Sequence, residues 1–324
     1  MNILLTGGAG YIGSHICNSL IDLGFNVSTI DNLSTGNIDL IPKQVEHINC
    51  DIADVNTVSS FITKNNFDVV MHLAAFTRVG ESVKYPEKYY LNNFEKAKTF
   101  IDLCLENNLK KFIFSSTGSV YGNSNKNENI KENEATNPIN PYSESKLKFE
   151  KYLLERTIKK KASCTILRYF NVAGADLKKR TGLTSNPDNL IKAVCEVAVK
   201  KRDKLIINGN DYKTKDGTSI RDFIHVLDLV DIHILVAKSL MSKSENEIYN
   251  CGYGVGFSIM DVINEMNLII DFKLPIKFGD RRKGDAVYSV ADNQKFLKKF
   301  NWKPKYNNLK IILESAIEWE KTLK

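Results

Sequence analysis

The first fifteen residues limit the possible folds more than any other stretch. An apolar run, Ile3-Leu4-Leu5, leads into Thr6-Gly7-Gly8-Ala9-Gly10-Tyr11-Ile12-Gly13-Ser14-His15, and a helical pattern starts inside that segment. Strand, glycine turn and helix in that order open a parallel βαβ unit, which aims backbone N–H groups and a helix N-terminus at a dinucleotide pyrophosphate. The glycines fall at 7, 10 and 13, a G-x-x-G-x-x-G spacing. Gly7 suits the tight turn, Gly10 the close approach of backbone to ligand, and Gly13 the packing of helix on strand. A glycine-rich turn that binds nothing has the same spelling, so the residues downstream must decide between the two.

Downstream, strands and helices alternate. Tyr11 to Leu23 reads as an amphipathic helix stopped by Gly24, and Asn26 to Ile30 as a second buried strand with Asp31 at its tip. Asp31 lies 31 − 13 = 18 residues past the last glycine, near the distance at which a carboxylate accepts the adenine-ribose hydroxyls and repels a 2′-phosphate. That favours NAD over NADP, the alternative being a turn or cap residue. Val45 to Cys50 forms a third strand ending in Asp51, placed to meet the adenine end; Val55 to Lys64 is helical; Asp68 to Leu73 is a fourth strand, with the small Ala74 and Ala75 at its tip. Tyr89 to Asn107 reads as one long helix carrying Asn92 and Asn93, and spacing alone does not say which of the two faces a ligand. This order predicts an α/β fold, a doubly wound parallel (Rossmann) sheet whose ligand sits at the C-terminal ends of the strands.

Lys111 to Ser115 is a fifth strand running into Ser116-Thr117-Gly118-Ser119. The polar stretch from Asn123 to Asn140 is too long for a plain connection and is expected to be an exposed loop over or beside the site. It closes on Pro141-Tyr142-Ser143-Glu144-Ser145-Lys146, where Tyr142 and Lys146 stand four apart and so share one helix face. A free tyrosine titrates near 10, so a useful phenolate at neutral pH needs a drop of about three units, roughly 4 kcal/mol. One ammonium at about 4 Å in a partly solvated site supplies roughly that much. Lys146 would thus make Tyr142 a general base for a hydroxyl that Thr117 orients. The plain alternative is a packing tyrosine and a solvated lysine.

Taken together, Gly7-x-x-Gly10-x-x-Gly13, Ser115-Ser116-Thr117 and Tyr142-x-x-x-Lys146 resemble the extended short-chain dehydrogenase/reductase family, which acts on nucleotide-sugars. Val79-Gly80-Glu81-Ser82, Tyr89-Tyr90-Leu91-Asn92-Asn93, Arg168-Tyr169-Phe170-Asn171 and Gly217-Thr218-Ser219-Ile220-Arg221-Asp222-Phe223-Ile224-His225-Val226 narrow the resemblance to its branch of UDP-hexose 4-epimerases, from end to end. The resemblance implies NAD held by Gly7, Gly10, Tyr11, Ile12 and Gly13, by Asp31, Asn32, Ser34 and Gly36, and by Asp51 and Ile52. It extends the cofactor site to Leu73, Ala74, Ala75, Thr77, Asn92, Tyr142, Lys146 and Phe170. Catalysis would fall to Tyr142, Lys146 and Thr117. A UDP-sugar would be met by Thr117, Tyr142, Asn171, Asn189 and Leu190, by Arg221 and Arg282 at the diphosphate, by Asp285 at the uridine ribose, and by Ser289 at the sugar.

Three positions depart from the family pattern. Thr77-Arg78 stand where many members carry Lys-Ala, Ile206-Ile207-Asn208-Gly209 lacks the aromatic that often stacks on uracil, and Ser289 is small where a bulky tyrosine can stand. A small residue there leaves room for a 2-acetamido group, so both UDP-glucose/galactose and the N-acetylated pair are expected substrates. Gly118-Ser119 after Thr117 replace the Asp-Glu that related dehydratases place there; uronate epimerases, decarboxylases and a non-catalytic NAD-binding regulator remain as rival readings.

The rest of the chain bounds this picture. With 324 residues it suits an NAD-binding domain over 1–172 and a smaller α/β substrate domain over 173–324, part of 217–245 returning to the first. Arg281-Arg282-Lys283 reads as a diphosphate contact or a solvated basic loop, and His225 as a packing residue. The balance of 45 Lys+Arg against 38 Asp+Glu, +7, favours an acidic small molecule and is too diffuse for nucleic acid. Six scattered cysteines without C-x-x-C spacing read as reduced structural thiols, with no metal site. No run of about eighteen apolar residues exists and Met1 leads straight into the first strand, so a cytoplasmic protein without membrane contact is expected, a homodimer if the resemblance holds.

Overall fold

The computed structural model describes residues 1–123, 128–184, 188–282 and 285–324. They gather into two compact units, one formed by Met1–Val120, Asn140–Arg168 and Val230–Tyr249, the other by Tyr121–Ile139, Tyr169–Leu229 and Asn250–Lys324. Where the sequence suggests a cut after 172 and a return within 217–245, the polypeptide changes unit after 120, 139, 168, 229 and 249.

The first unit is built on strands β1 (Asn2–Thr6), β2 (Asn26–Ile30), β3 (Glu46–Ile48), β4 (Val69–His72), β5 (Lys111–Thr117) and β6 (Ser163–Tyr169). Helices α1 (Tyr11–Asp22), α2 (Val55–Lys64), α3 (Val79–Lys84), α4 (Pro86–Tyr90), α5 (Ala97–Glu106) and α6 (Pro141–Lys159) intervene. In the second unit come β7 (Asn171–Ala173), α7 (Leu190–Ala198), β8 (Leu205–Asn208) and β9 (Ile220–His225). Helix α8 (Val226–Ser242) then leads to β10 (Glu247–Cys251). The chain ends with β11 (Gly256–Ser258), α9 (Ile259–Ile270), β12 (Ile276–Gly279), β13 (Tyr288–Ser289), α10 (Gln294–Phe300) and α11 (Leu309–Glu320).

The large sheet runs β10-β6-β5-β4-β1-β2-β3, the doubly wound order, with its reversal between β1 and β4. β1 pairs in parallel with both β2 and β4. Ile3, Leu4 and Leu5 are completely buried, as an unbroken apolar run in a central strand covered on both faces must be. Helices α2, α5 and α6 cover one face through Phe61, Phe100 and Phe149, the last meeting Phe114 of β5 edge to face at 4.7 Å. Each such ring contributes about 1.5–3 kcal/mol by its burial.

Three expected elements came out differently. The long helix from 89 to 107 is interrupted by a π-helical turn over Leu91–Lys96. Asn93, inside that turn, is buried and closes a pair of 2.9 Å bonds with Phe76, accepting from its N–H and donating to its carbonyl. A widened turn of this kind places neighbouring side chains on positions a regular helix does not offer. Strand β5 runs two residues further than expected, so Ser116 and Thr117 lie inside it. The loop from Asn123 to Asn140 is exposed over most of its described length, as expected, but it is anchored at Ile130, which is buried and bridges to Ala291 within the second unit. Residues 124–127 of that loop lie outside the described residues.

Candidate active site

In the first unit the C-terminal ends of β1, β2 and β4 open onto a cleft of about 570 Å³, counting the open space at its mouth. Twelve of the residues singled out by sequence line it: Gly7, Gly10, Asp31, Asn32, Ser34, Gly36, Asp51, Ile52, Leu73, Ala74, Ala75 and Asn92. Thr35, Cys50 and Phe76 line it as well; they had no motif signal, being neighbours of motif residues on the same lips. Asn92 lines the cleft, while Asn93 is committed to Phe76.

The glycines divide the labour as their surroundings demand. Gly7 adopts φ +78°, and a Cβ there would come within 2.8 Å of the Ala74 backbone nitrogen. A Cβ on Gly13 would sit 2.1 Å from the Gly7 carbonyl oxygen, so helix and turn touch only through a missing side chain. At Gly10 the nearest protein atom to such a Cβ is 3.3 Å away, which leaves the cleft itself as the reason for glycine. Gly10 also caps α1 without a side-chain hydrogen bond, and the first turn, Tyr11 to Gly13, holds no acidic residue. A bare helix N-terminus beside a glycine turn fits a pyrophosphate.

Asp31 fastens the cradle: one carboxylate oxygen accepts from Ala9 N–H at 3.0 Å and the other from Leu33 N–H at 2.9 Å. On the far lip, Asp51 accepts from Lys96 at 2.5 Å, from Asn32 at 3.3 Å and from Ala53 N–H at 3.0 Å. Burial raises the Asp51 pKa, but these donors outweigh it and hold the carboxyl below its usual range. The cleft therefore offers a glycine cradle for phosphates and two carboxylates as acceptors, a set that fits a dinucleotide.

Helix α6 and the tip of β5 form the reactive corner. Asn140 caps α6 by accepting from Ser143 N–H at 2.9 Å, and Tyr142, Lys146 and Glu150 come at intervals of four, all buried. Burial pushes the Tyr142 phenol up to about 12, and its hydrogen bond with Thr117 pulls the other way. Burial pulls Lys146 down to about 7, with Glu150 opposing. Lys146 Nζ donates to the Ser115 carbonyl at 2.7 Å and lies 4.8 Å from the Phe114 ring centroid. The tyrosine hydroxyl is thus engaged by Thr117, whereas the ammonium is spent on backbone. His72, at the end of β4, faces the Thr6 hydroxyl at 2.7 Å; burial and then Lys146 drive it down to about 3, so it is neutral.

In the second unit the remaining predicted residues fall in two groups. β9 pairs with β13 so that Arg221 stands opposite Ser289, and with β7 so that Asn171 stands opposite Phe223. Paired residues share a sheet face, as do residues two apart on one strand, so Asn171, Arg221 and Ser289 project from the same side. Phe257 of β11, opposite Arg221, joins that row and was not singled out by sequence. Burial lowers the Arg221 pKa; Asp285 is the leading opposing charge, and Arg282 is close enough to act on it too. Arg282 approaches Asp188 at 3.8 Å. Asn189 spends its amide oxygen as the cap of α7, accepting from Lys192 N–H at 3.0 Å, with Leu190 first in that helix. Phe170 is half-buried and donates its N–H to the Cys251 carbonyl. Thr77 is exposed, outside the lining of the cleft. Lys283 lies outside the described residues. His225 is fully buried against Ser315 at 3.1 Å.

The doubly wound sheet, its glycine cradle and the buried Tyr-x-x-x-Lys helix define a Rossmann-type dinucleotide-binding protein. A sequence profile of the NAD dependent epimerase/dehydratase family matches residues 3–252, and the chain belongs to that family. A UDP-glucose 4-epimerase of Azospirillum brasilense is 41% identical over 322 residues, covering 99% of this chain and 92% of that protein. Among solved structures, the UDP-glucose 4-epimerase of Bifidobacterium longum in complex with NAD+ and UDP superposes with a TM-score of 0.94 at 32% identity, covering 99% of this chain and 98% of that one. The UDP-Glc/GlcNAc 4-epimerase of Campylobacter jejuni does so with a TM-score of 0.85 at 38% identity, each chain covered to 99%.

Proposed function

We propose that the chain is an NAD-dependent UDP-hexose 4-epimerase that interconverts UDP-glucose and UDP-galactose through a transient 4-keto sugar. The observation that carries this reading is the buried corner where Thr117 meets Tyr142 and Lys146 stands one turn along α6. NAD, held by the glycine cradle, Asp31 and Asp51, supplies a hydride acceptor and donor when bound. Thr117 orients the sugar 4-hydroxyl toward Tyr142, which takes its proton and returns it after the sugar has turned. Arg221 and Arg282 hold the diphosphate while the hexose turns, Asp285 the uridine ribose. Burial adds to tyrosine's ordinary reluctance to ionise, and at about 12 the phenol stands about five units above neutrality, roughly 7 kcal/mol. The Lys146 ammonium and the positive charge of the bound cofactor must supply that difference.

The small Ser289, on the same sheet face as Arg221 and Asn171, supports turnover of UDP-N-acetylglucosamine and UDP-N-acetylgalactosamine as well. No helix among the described residues is long and apolar enough to cross a membrane. A homodimer in the cytoplasm completes the proposal, with Val83, Tyr85 and Leu91, each about half exposed, as apolar surface for a second copy. Light scattering of the purified protein tests the dimer. The function is tested by denaturing the protein, assaying released NAD, and following UDP-galactose to UDP-glucose conversion without added cofactor. Released NAD with conversion supports the reading, and NAD without conversion overturns it.

A further inference from the structure

Three successive residues of β5 each engage one of three buried residues on α6. The Ser115 carbonyl accepts from Lys146, the Thr117 hydroxyl bonds Tyr142, and between them the Ser116 hydroxyl donates to Glu150 Oε1. Glu150 has no solvent to turn to, being 1% exposed. Arg168 of β6, itself 4% exposed, grips it from the other side, Nε to Oε1 at 3.0 Å and Nη2 to Oε2 at 2.6 Å. A buried bidentate ion pair with a third donor is an expensive arrangement that an apolar pair of similar volume would match or better in stability. Its position, one helical turn beyond Lys146, suggests another use.

We propose that Glu150, fixed by Ser116 and Arg168, is a positioning residue for the reaction: its carboxylate keeps Lys146 in the ammonium form that Tyr142 requires. This deepens the epimerase reading and rests on it for the role of Tyr142. Among the described residues Glu150 is the charge that opposes the effect of burial on Lys146. His72, from β4, is neutral, and β5 presents only a carbonyl and the Phe114 ring. On the helices packed against α6, Glu81 is paired with Lys88 and Tyr89, Lys96 with Asp51, and Asp102 with Arg156 and Tyr152. Arg168 acts through Glu150, whose two oxygens it occupies.

The test uses the full chain with its bound cofactor. The ammonium-to-amine midpoint of Lys146 is read by NMR of 13Cε-labelled lysine, assigned with Lys146→Met, alongside the pH profile of kcat/KM for UDP-galactose. Glu150→Gln, which keeps the shape and loses the charge, moves the midpoint and the alkaline limb of activity down by about one unit. The double variant Glu150→Gln/Arg168→Gln also lowers the midpoint, by less than the single variant because the opposing guanidinium goes with the carboxylate, and since it leaves no lone buried charge it covers the case in which the single variant fails to fold. Ser116→Ala removes the strand contact but not the charge and leaves the midpoint in place, while Glu150→Asp restores part of the shift. A midpoint within a few tenths of a unit of the parent protein in both Gln variants overturns the inference, and does so alone if the parent epimerises. A midpoint that moves as stated in a protein that never epimerises upholds the control of Lys146 and overturns the function.

Discussion

The roles of Gly13 and Gly10 are separable by a single methyl group each. In Gly13→Ala the new carbon would lie 2.1 Å from the Gly7 oxygen and 2.9 Å from both the Gly7 carbonyl carbon and Gly8 Cα. All three are backbone atoms of a turn pinned by Asp31 through Ala9, so none swings aside as a side-chain tip would. Restoring ordinary contact, which begins at 3.4 Å, requires helix and turn to part by 3.4 − 2.1 = 1.3 Å or more, an overpacking cost of about 3 kcal/mol. Gly10→Ala meets only one atom, at 3.3 Å, and its backbone, φ −79°, suits any residue. Its cost to the protein without cofactor is about 0.5–1 kcal/mol, the difference between glycine and alanine at a helix N-cap. Thermal unfolding after removal of NAD therefore drops by roughly 5–10 °C in Gly13→Ala and by much less in Gly10→Ala. NAD recovered on denaturation falls in both, in Gly10→Ala because the methyl stands where the cofactor's phosphates approach. A Gly13→Ala protein with parental melting temperature, or a Gly10→Ala protein that retains its full NAD, would refute the division of roles.

Three further outcomes are expected. Tyr142→Phe keeps its NAD and loses at least about 10³-fold in kcat, the upper part of what a general base and its orientation supply; near-normal turnover removes Tyr142 from the mechanism. His72 titrates near 3 in the fold against 6.5 unfolded, so between those values the unfolded chain binds the extra proton and stability is lost as pH falls from 6.5 toward 3. The full span is worth up to about 4–5 kcal/mol. Urea titrations at pH 7 and 4.5 should show a smaller loss for His72→Phe than for the parent, and equal losses discard the linkage. Ser289→Tyr abolishes turnover of UDP-N-acetylgalactosamine while UDP-galactose is still converted; retained N-acetyl activity ends the gatekeeper argument.

The sequence and the structure agree where one physical rule dominates. Buried parallel strands need unbroken apolar runs and the dinucleotide turn needs its glycines, so β1, β2, α1 and the cleft residues from Gly7 to Ala75, Thr35 and Cys50 apart, were legible. The π-turn was not, because its cause is Asn93 reaching Phe76, 17 residues away, and local propensity carries no trace of that bond. The same holds for Ile130, whose partner Ala291 lies in a distant segment. Tyr142 and Lys146 were found by spacing, but the direction of their titration was not. Sequence supplies the neighbours on the helix, whereas burial and the Ser115 carbonyl, which act most directly on the pair, are products of packing.

The last strand of the large sheet has a consequence for how this protein is made. β10 lies at the edge of the sheet beside β6, though some 80 residues separate them in the chain. A ribosome that has released everything through β6 has still not delivered the strand that pairs with it, and the nascent sheet carries a raw edge of unpaired backbone N–H and C=O groups while the intervening segment is synthesised. A fragment ending at residue 172 would keep that edge permanently, and such a fragment belongs in inclusion bodies rather than in solution.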